Sequence, residues 1–220
     1  MPDIFLLIAN KNYSSWSLRP WLALKQCGIP FEEKLVPLDR LDTVERIRAY
    51  SPSGRVPFLR HNGVEVWESL AICEYLSEAF PEARLWPHDM AARAHARAVS
   101  NEMHAGFAAL RYNLPMDASR DLSAQSRAAR VAGEIARITD IWTQCRQRFG
   151  AEGPFLFGRF SIADCMYAPV VTRFRTHGVA LTELTEAYAA TIMGLPAMKD
   201  WIEAARREPW VLQHPVFSQP

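Results

Sequence analysis

The sequence predicts an α/β unit followed by an all-helical one. Three observations predict it. A short, wholly apolar run opens the chain at Ile4 to Ala9. Strand-like and helix-like segments then alternate as far as Ala79. Beyond Leu85-Trp86-Pro87 the strand-like alternation disappears, Ala and Arg dominate, and apolar residues recur at helical spacing. The expected division is residues 1–84, a linker at 85–88, and residues 89–220.

Each element has its own signal. Residues 3–9 (DIFLLIA) read as a buried strand, and Ser15 to Cys27 reads as a helix stopped by Gly28. Pro20 lacks an N–H and belongs in a first helical turn, which places helix entry near Ser15 to Ser17. Phe31 to Pro37 alternates as a strand, and Thr43 to Tyr50 makes a short helix ending before Ser51-Pro52. Val56 to Arg60 and Val64 to Trp67 flank His61-Asn62-Gly63, an Asn-Gly hairpin signal. Ser69 opens a helix to Ala79, closed by Phe80-Pro81. The order strand, helix, strand, helix, strand, strand, helix fits a thioredoxin-type layer. In the second half, long helices are expected over Met90 to Arg111 and Leu122 to Phe149. Shorter ones are expected over Ile162 to Arg175, Thr182 to Met193 and Ala197 to Arg207.

Composition narrows the function classes. The formal net charge is +1 with no block of like charges, so no electrostatic footprint for nucleic acid or anionic lipid is present. The run at Ile4 to Ala9 is too short to span a bilayer, and no basic n-region precedes it, so a cytoplasmic location is expected. Cys27, Cys73, Cys145 and Cys165 show neither CxxC nor His/Cys ligand spacing; no metal site is expected, and each reads as a small buried hydrophobe.

The stretch NKNYSSWSLRP places Ser14, Ser15 and Ser17 at the start of the first helix. A helix N-terminus offers unpaired N–H groups and partial positive charge to an anion, and a serine hydroxyl there adds a donor. Capping alone would also explain the serines. No Gly-x-Ser-x-Gly elbow is present, so a serine acting chemically would act as a neutral donor. Downstream, Ser51-Pro52-Ser53-Gly54-Arg55-Val56-Pro57-Phe58-Leu59 carries Val-Pro at a strand start, where a cis bond can occur. Glu68-Ser69 puts an acid and a hydroxyl at the start of the third helix, with simple capping by Ser69 as the plain alternative.

These stretches together resemble the cytosolic glutathione transferases. The matching motifs are Ser-Ser-x-Ser-x-Arg after the first strand, Gly-Arg-Val-Pro-Phe-Leu before the hairpin, and Glu-Ser-Leu-Ala-Ile-x-Glu-Tyr-Leu on the third helix. Ser161-Ile162-Ala163-Asp164 matches the family's capping box, with Phe160 and Cys165 at the staple positions. The serine run is most similar to zeta-like bacterial members. The resemblance implies a thioredoxin-like N-terminal domain plus an all-α C-terminal helical domain, glutathione as co-substrate, a homodimer and a detoxifying role.

Carried over by position, the resemblance implies that Ser14 hydrogen-bonds the glutathione sulfur, with Ser15 its rival and Ser17 the helix cap. Loss of the Ser14 hydroxyl is then expected to raise the pKa of the bound thiol by at least about one unit. Val56 would pair its backbone with the tripeptide, beside a cis Pro57; Glu68 and Ser69 would hold the γ-glutamyl end, and Arg55 would lie near the glycyl end. Arg19 is implied to tie the first helix to the second domain. For the electrophile, His104, Phe107 and Arg111 read as one face of the fourth helix, at i+3 and i+4 spacing. The expected activity is transfer of glutathione to small electrophiles. A maleylacetoacetate-type isomerase, a glutathione peroxidase or disulfide reductase, and a non-catalytic scaffold are the rivals. Thiol exchange of the omega type lacks a cysteine at the Ser14 position.

Overall fold

The computed structural model describes residues 3–212. Residues 1–2 and 213–220, the outer ends of the expected division, lie outside the described residues. Strands β1 (Ile4–Ile8), β2 (Glu32–Leu35), β3 (Phe58–His61) and β4 (Val64–Trp67) form one sheet in the order β2-β1-β3-β4. β1 runs parallel to β2 and antiparallel to β3, and β3 and β4 form the hairpin. Helices α1 (Ser15–Gln26), α2 (Thr43–Arg48) and α3 (Ser69–Ala79) complete this part.

Successive strand side chains point to opposite faces, so the unbroken IFLLI run of β1 feeds two cores. Ile4, Leu6 and Ile8 join the large apolar cluster with residues of α1 and α3, while Phe5 and Leu7 pack with Val36, Ile47 and Phe58 on the other face. At the hairpin tip Asn62 and Gly63 both have positive φ, 49° and 81°, the geometry that makes Asn-Gly a two-strand connector. Gly28, at φ 66°, ends α1 as expected.

The remaining helices are α4 (Met90–Ala105), α5 (Ala108–Asn113), α6 (Ala132–Phe149), α7 (Ile162–Thr176), α8 (Glu183–Gly194) and α9 (Pro196–Arg206). α7 is buried at every residue but Arg175 and packs on α1, α4 and α8, so it is the axis of the helical part. The large apolar cluster is continuous from β1 to α9. The architecture is therefore a thioredoxin-like α/β layer joined to a helical layer.

Three sequence expectations need correction. The helix expected over Met90 to Arg111 is broken: Gly106 is the extended C-cap of α4, and Phe107 is left-handed at φ 61° before α5 begins. A Cβ on Gly106 would sit 2.8 Å from the Glu102 carbonyl oxygen, so glycine is what lets the chain turn there. The helix expected from Leu122 begins only at Ala132; before it lie two short 3-10 turns, Ser123–Gln125 and Ala128–Val131. There Asp121 and Ser126 accept the amides of Ser123 and Ala128, local bonds that compete with helix propagation. Finally, Pro20 lies inside α1 rather than in its first turn. It is buried, as are both its neighbours, so packing outweighs the lost backbone bond.

Candidate functional site

The N-termini of α1 and α3 form the candidate site. Ser14 is the N-cap of α1: its Oγ accepts from the Ser17 amide at 3.3 Å and donates to Ser17 Oγ at 2.8 Å. Ser17, the expected cap, instead sits within the first turn, where its Oγ accepts the Ala9 amide at 3.1 Å and pins the helix start to the end of β1. Ser15 Oγ accepts from Arg173 Nη2 of α7 at 3.2 Å. All three serines are buried.

The loop before Ser14 is clamped by distant residues. Glu208 accepts the amides of Lys11 and Asn12 at 2.6 and 3.2 Å, and Trp201 Nε1 donates to the Lys11 carbonyl at 2.7 Å. Asn12 Oδ1 accepts from the Ser119 amide, and Asn10 Oδ1 from the Leu38 amide. The Lys11 ammonium lies over the rings of Trp21 and Trp201 and pairs with Glu33 at 2.7 Å. None of these positions carries a local sequence signal.

At α3 the cap position is held by Glu68, not by Ser69 as simple capping would have it. Glu68 has φ 69° and ψ 124° and makes no side-chain cap bond, and Ser69 is the buried first residue of the helix. Ser69 Oγ accepts from Arg19 Nη1 at 3.2 Å, so Arg19 ties α1 to α3 rather than to the helical part. Arg19 is fully buried, its guanidinium stacks 4.3 Å from the Trp16 ring centroid, and its Nε and Nη2 have no hydrogen-bond partner among the described residues. Before β3 the Val56-Pro57 peptide is cis, Pro57 is buried, and Arg55 is exposed.

The break at Gly106 separates Phe107 from the other two residues expected at the electrophile, His104 and Arg111, which still meet at Trp16. Phe107 is packed in the large core. Arg111 turns back, donating from Nε to the Gly106 carbonyl at 3.2 Å and from Nη2 to the Met103 carbonyl, while its guanidinium covers Trp16 at 4.6 Å. His104 meets Trp16 edge-on at 5.3 Å and lies 3.8 Å from Glu68. Trp16, which carries no local sequence signal, thus joins Arg19, Arg111 and His104. None of the ion pairs among the described residues involves Arg19, Arg111 or Arg173.

Burial, followed by the Arg19 charge, holds the His104 imidazole below its ordinary 6.5, with Glu68 pulling the other way and Arg111 adding to the depression. A base with a depressed folded pKa contributes stability that is full above its unfolded value and is lost as pH falls through the folded one. His104 is therefore expected to titrate below 6.5 by NMR, and His104→Gln to lessen the loss of stability on the acid side of that value. Titration at or above the ordinary value would contradict the burial argument. Cys73, one turn into α3, is pushed up to about 12 by burial and is no nucleophile at neutral pH.

A cavity of about 1050 Å³ lies elsewhere, along Arg84 to Arg93 and Arg148 to Ser161. The helix N-termini that border it are already capped, α4 by Asp89 and α7 by the Ser161–Asp164 capping box. Among the described residues no group of three or more His, Cys, Asp or Glu could hold a metal, and no helix is long and apolar enough to cross a membrane.

The candidate site is thus a helix N-terminus lined with hydroxyls, set beside an acid and a serine at a second one, in a thioredoxin-like layer. Residues 13–79 match the family described as Glutathione S-transferase, N-terminal domain, and residues 125–204 match Glutathione S-transferase, C-terminal domain. The chain belongs to the glutathione S-transferase family. It is 28% identical over 188 residues to Glutathione S-transferase L3 of Arabidopsis thaliana, covering 84% of this chain and 71% of that one. It is 39% identical over 90 residues, 41% of each chain, to a probable maleylacetoacetate isomerase of Caenorhabditis elegans. Among solved structures, the fold is similar to that of a bacterial zeta-class maleyl pyruvate isomerase (TM-score 0.72, 24% identity, 93% of this chain and 99% of that one). It is likewise similar to a glutathione-bound transferase homologue from Burkholderia (TM-score 0.67, 24% identity, 93% and 98%).

Proposed function

We propose that this enzyme binds glutathione across the N-termini of α1 and α3 and transfers it, as the thiolate, to small electrophiles. The observation that carries the reading is the placement of Ser14 and Ser15 at one helix N-terminus, joined through Arg19 to Ser69 at the other. In this reading Ser14 or Ser15 donates to the sulfur and Val56 offers its backbone to the tripeptide. Glu68 takes the γ-glutamyl ammonium, Ser69 its carboxylate, and Arg55 stands near the glycyl end. No base or metal is required. A thiol of pKa about 8.5 needs about 2.7 kcal/mol to fall by two units. A hydrogen bond to a charged acceptor supplies roughly 1.5–3 kcal/mol and a helix N-terminus roughly 0.3–1 more.

Action as a homodimer in the cytoplasm, in a detoxifying role, belongs to the same proposal. A second reading, isomerisation of a maleylacetoacetate-type substrate with glutathione released unchanged, is favoured by one observation. Arg111 and Arg19 flank Trp16, Arg111 with only Glu134 opposing its charge and neither in a direct ion pair among the described residues, which suits an electrophile that carries carboxylates. The wild-type protein is expected to be retained on immobilised glutathione, and failure to bind would sink both readings. Turnover of a chloronitrobenzene, of maleylacetone and of a hydroperoxide then separates transferase, isomerase and peroxidase.

A further inference from the structure

The turn that leads into α1 is held from outside the α/β layer. Asn10 closes it from within, its carbonyl accepting the amides of Tyr13 and Ser14 at 3.2 and 2.8 Å. The amides of Lys11 and Asn12 are left over, and one carboxylate takes both, Glu208 Oε1 at 2.6 Å and Oε2 at 3.2 Å. Trp201 of α9 gives its indole N–H to the Lys11 carbonyl at 2.7 Å, and the Ala118 amide reaches the Asn12 carbonyl at 3.1 Å. Both backbone groups of Lys11 and both of Asn12 are thus bonded to residues of the helical part.

Glu208 is the charged member of this set. It lies past the end of α9, half-buried, where no helix dictates its place. Burial pushes its carboxyl above the ordinary 4.5, against the pull of the two amides and of the Lys11 charge. Drawing a carboxylate out of water is costly, and two turn amides alone do not require one. What the carboxylate adds is a two-pronged, charge-assisted hold on a turn from which only Tyr13 separates Ser14.

We infer that Glu208 is a positioning residue for thiolate formation, acting through the backbone of Lys11 and Asn12 to fix the start of α1 and the hydroxyls it offers to the glutathione sulfur. This rests on the glutathione reading above. Donors stabilise a thiolate fully only when they are set before the sulfur arrives, because a donor ordered on arrival gives back part of its gain. Charge and position also predict opposite signs here. A carboxylate near a thiolate repels it, so if Glu208 acted by charge its removal would lower the thiol pKa. If it acts by position, its removal raises that pKa. The charged groups beside it are Lys11 and Glu33, which pair with each other at 2.7 Å.

The test is the pKa of glutathione bound to the full-length protein, read from thiolate absorbance against pH, for wild type, Glu208→Ala, Glu208→Gln and Ser161→Ala. Affinity for S-methylglutathione, which has no thiol to ionise, is measured beside it. Glu208→Ala is expected to raise the thiol pKa by about one unit and to slow turnover of a chloronitrobenzene roughly 10-fold below that pKa. Its affinity for S-methylglutathione should stay within about twofold of wild type, since uniform binding is untouched. Glu208→Gln keeps an acceptor for one amide and should fall between. Ser161→Ala loosens the other end of α7 and should leave the thiol unchanged. An unchanged or lowered pKa in Glu208→Ala overturns the inference and leaves the glutathione reading standing. An equal rise in Ser161→Ala also overturns it, because loosening anywhere would then suffice. Wild-type protein that fails to bind glutathione, or whose bound thiol titrates like the free one, overturns the reading beneath. Should Glu208→Ala fail to fold, Glu208→Gln carries the same comparison of sign.

Discussion

Replacing Asp164 with alanine is expected to cost about 3–5 kcal/mol of folding stability, a large share of what a native chain possesses. Asp164 is fully buried at the start of α7, the axis of the helical part. Its Oδ1 accepts the Leu156 amide at 3.1 Å, and its Oδ2 accepts the Ser161 amide at 2.8 Å and Ser161 Oγ at 3.0 Å. Alanine would strand three donors in a dry interior, each worth about 1–3 kcal/mol unsatisfied. Ser161→Ala removes one donor together with the cap it makes, and should cost about 1 kcal/mol. Urea denaturation of the two variants would measure the difference, and equal losses would mean that the carboxylate is not the hub. Burial pushes Asp164 from the ordinary 3.8 up to about 6 against the pull of its donors. The folded chain therefore binds the extra proton, and the group's favourable contribution is largest below 3.8 and falls away as pH rises to about 6. The margin of wild type over Asp164→Ala should shrink across that window and level off above it.

Asp164 was legible because its partner is three residues away, and the same holds for most of what the sequence shows correctly. IFLLI, Asn62-Gly63 and Ser161-x-x-Asp164 are patterns a few residues long, set by periodicity, turn chemistry or capping. The misses are of two kinds. Some were local but under-weighted: Gly106 lies in an Ala-rich stretch with helical spacing on both sides, and its role in ending α4 depends on the approach of the Glu102 carbonyl. Pro20 lacks an N–H, yet its burial holds it inside α1, which begins at Ser15 within the expected entry. The others were never local. Glu208 and Lys11 are 197 residues apart, and Ser15 and Arg173 are 158 apart. No pattern in NKNYSSWSLRP could announce a clamp from α9 or a guanidinium from α7. The sequence therefore marked where a thiol site should be, whereas the bonding that distinguishes one serine from its neighbour comes from the folded chain.

The same argument gives Glu68 a test in which stability and binding should move in opposite directions. A glutamate at φ 69° and ψ 124° sits where glycine is at ease and other residues pay about 1–3 kcal/mol. Glu68→Gly relieves that cost, less about 0.5–1 kcal/mol for the freer unfolded chain, so the variant should be at least as stable as wild type. Its glutathione affinity, by contrast, should fall roughly 10- to 100-fold, the loss of one charge-assisted hydrogen bond of about 1.5–3 kcal/mol to the γ-glutamyl ammonium. Glu68→Ala should lose the same affinity without the gain, since alanine keeps the backbone cost. The substitution also removes the one group that raises the His104 pKa, so His104 should titrate lower still in Glu68→Gly. Calorimetric binding and thermal melts on the two variants read both axes at once. Glu68 is a half-exposed carboxylate with no capping bond, and its side chain reaches only His104, at 3.8 Å; in the proposed reading the ligand accounts for its backbone. Undiminished glutathione binding in Glu68→Gly would remove that account and move the ammonium site elsewhere.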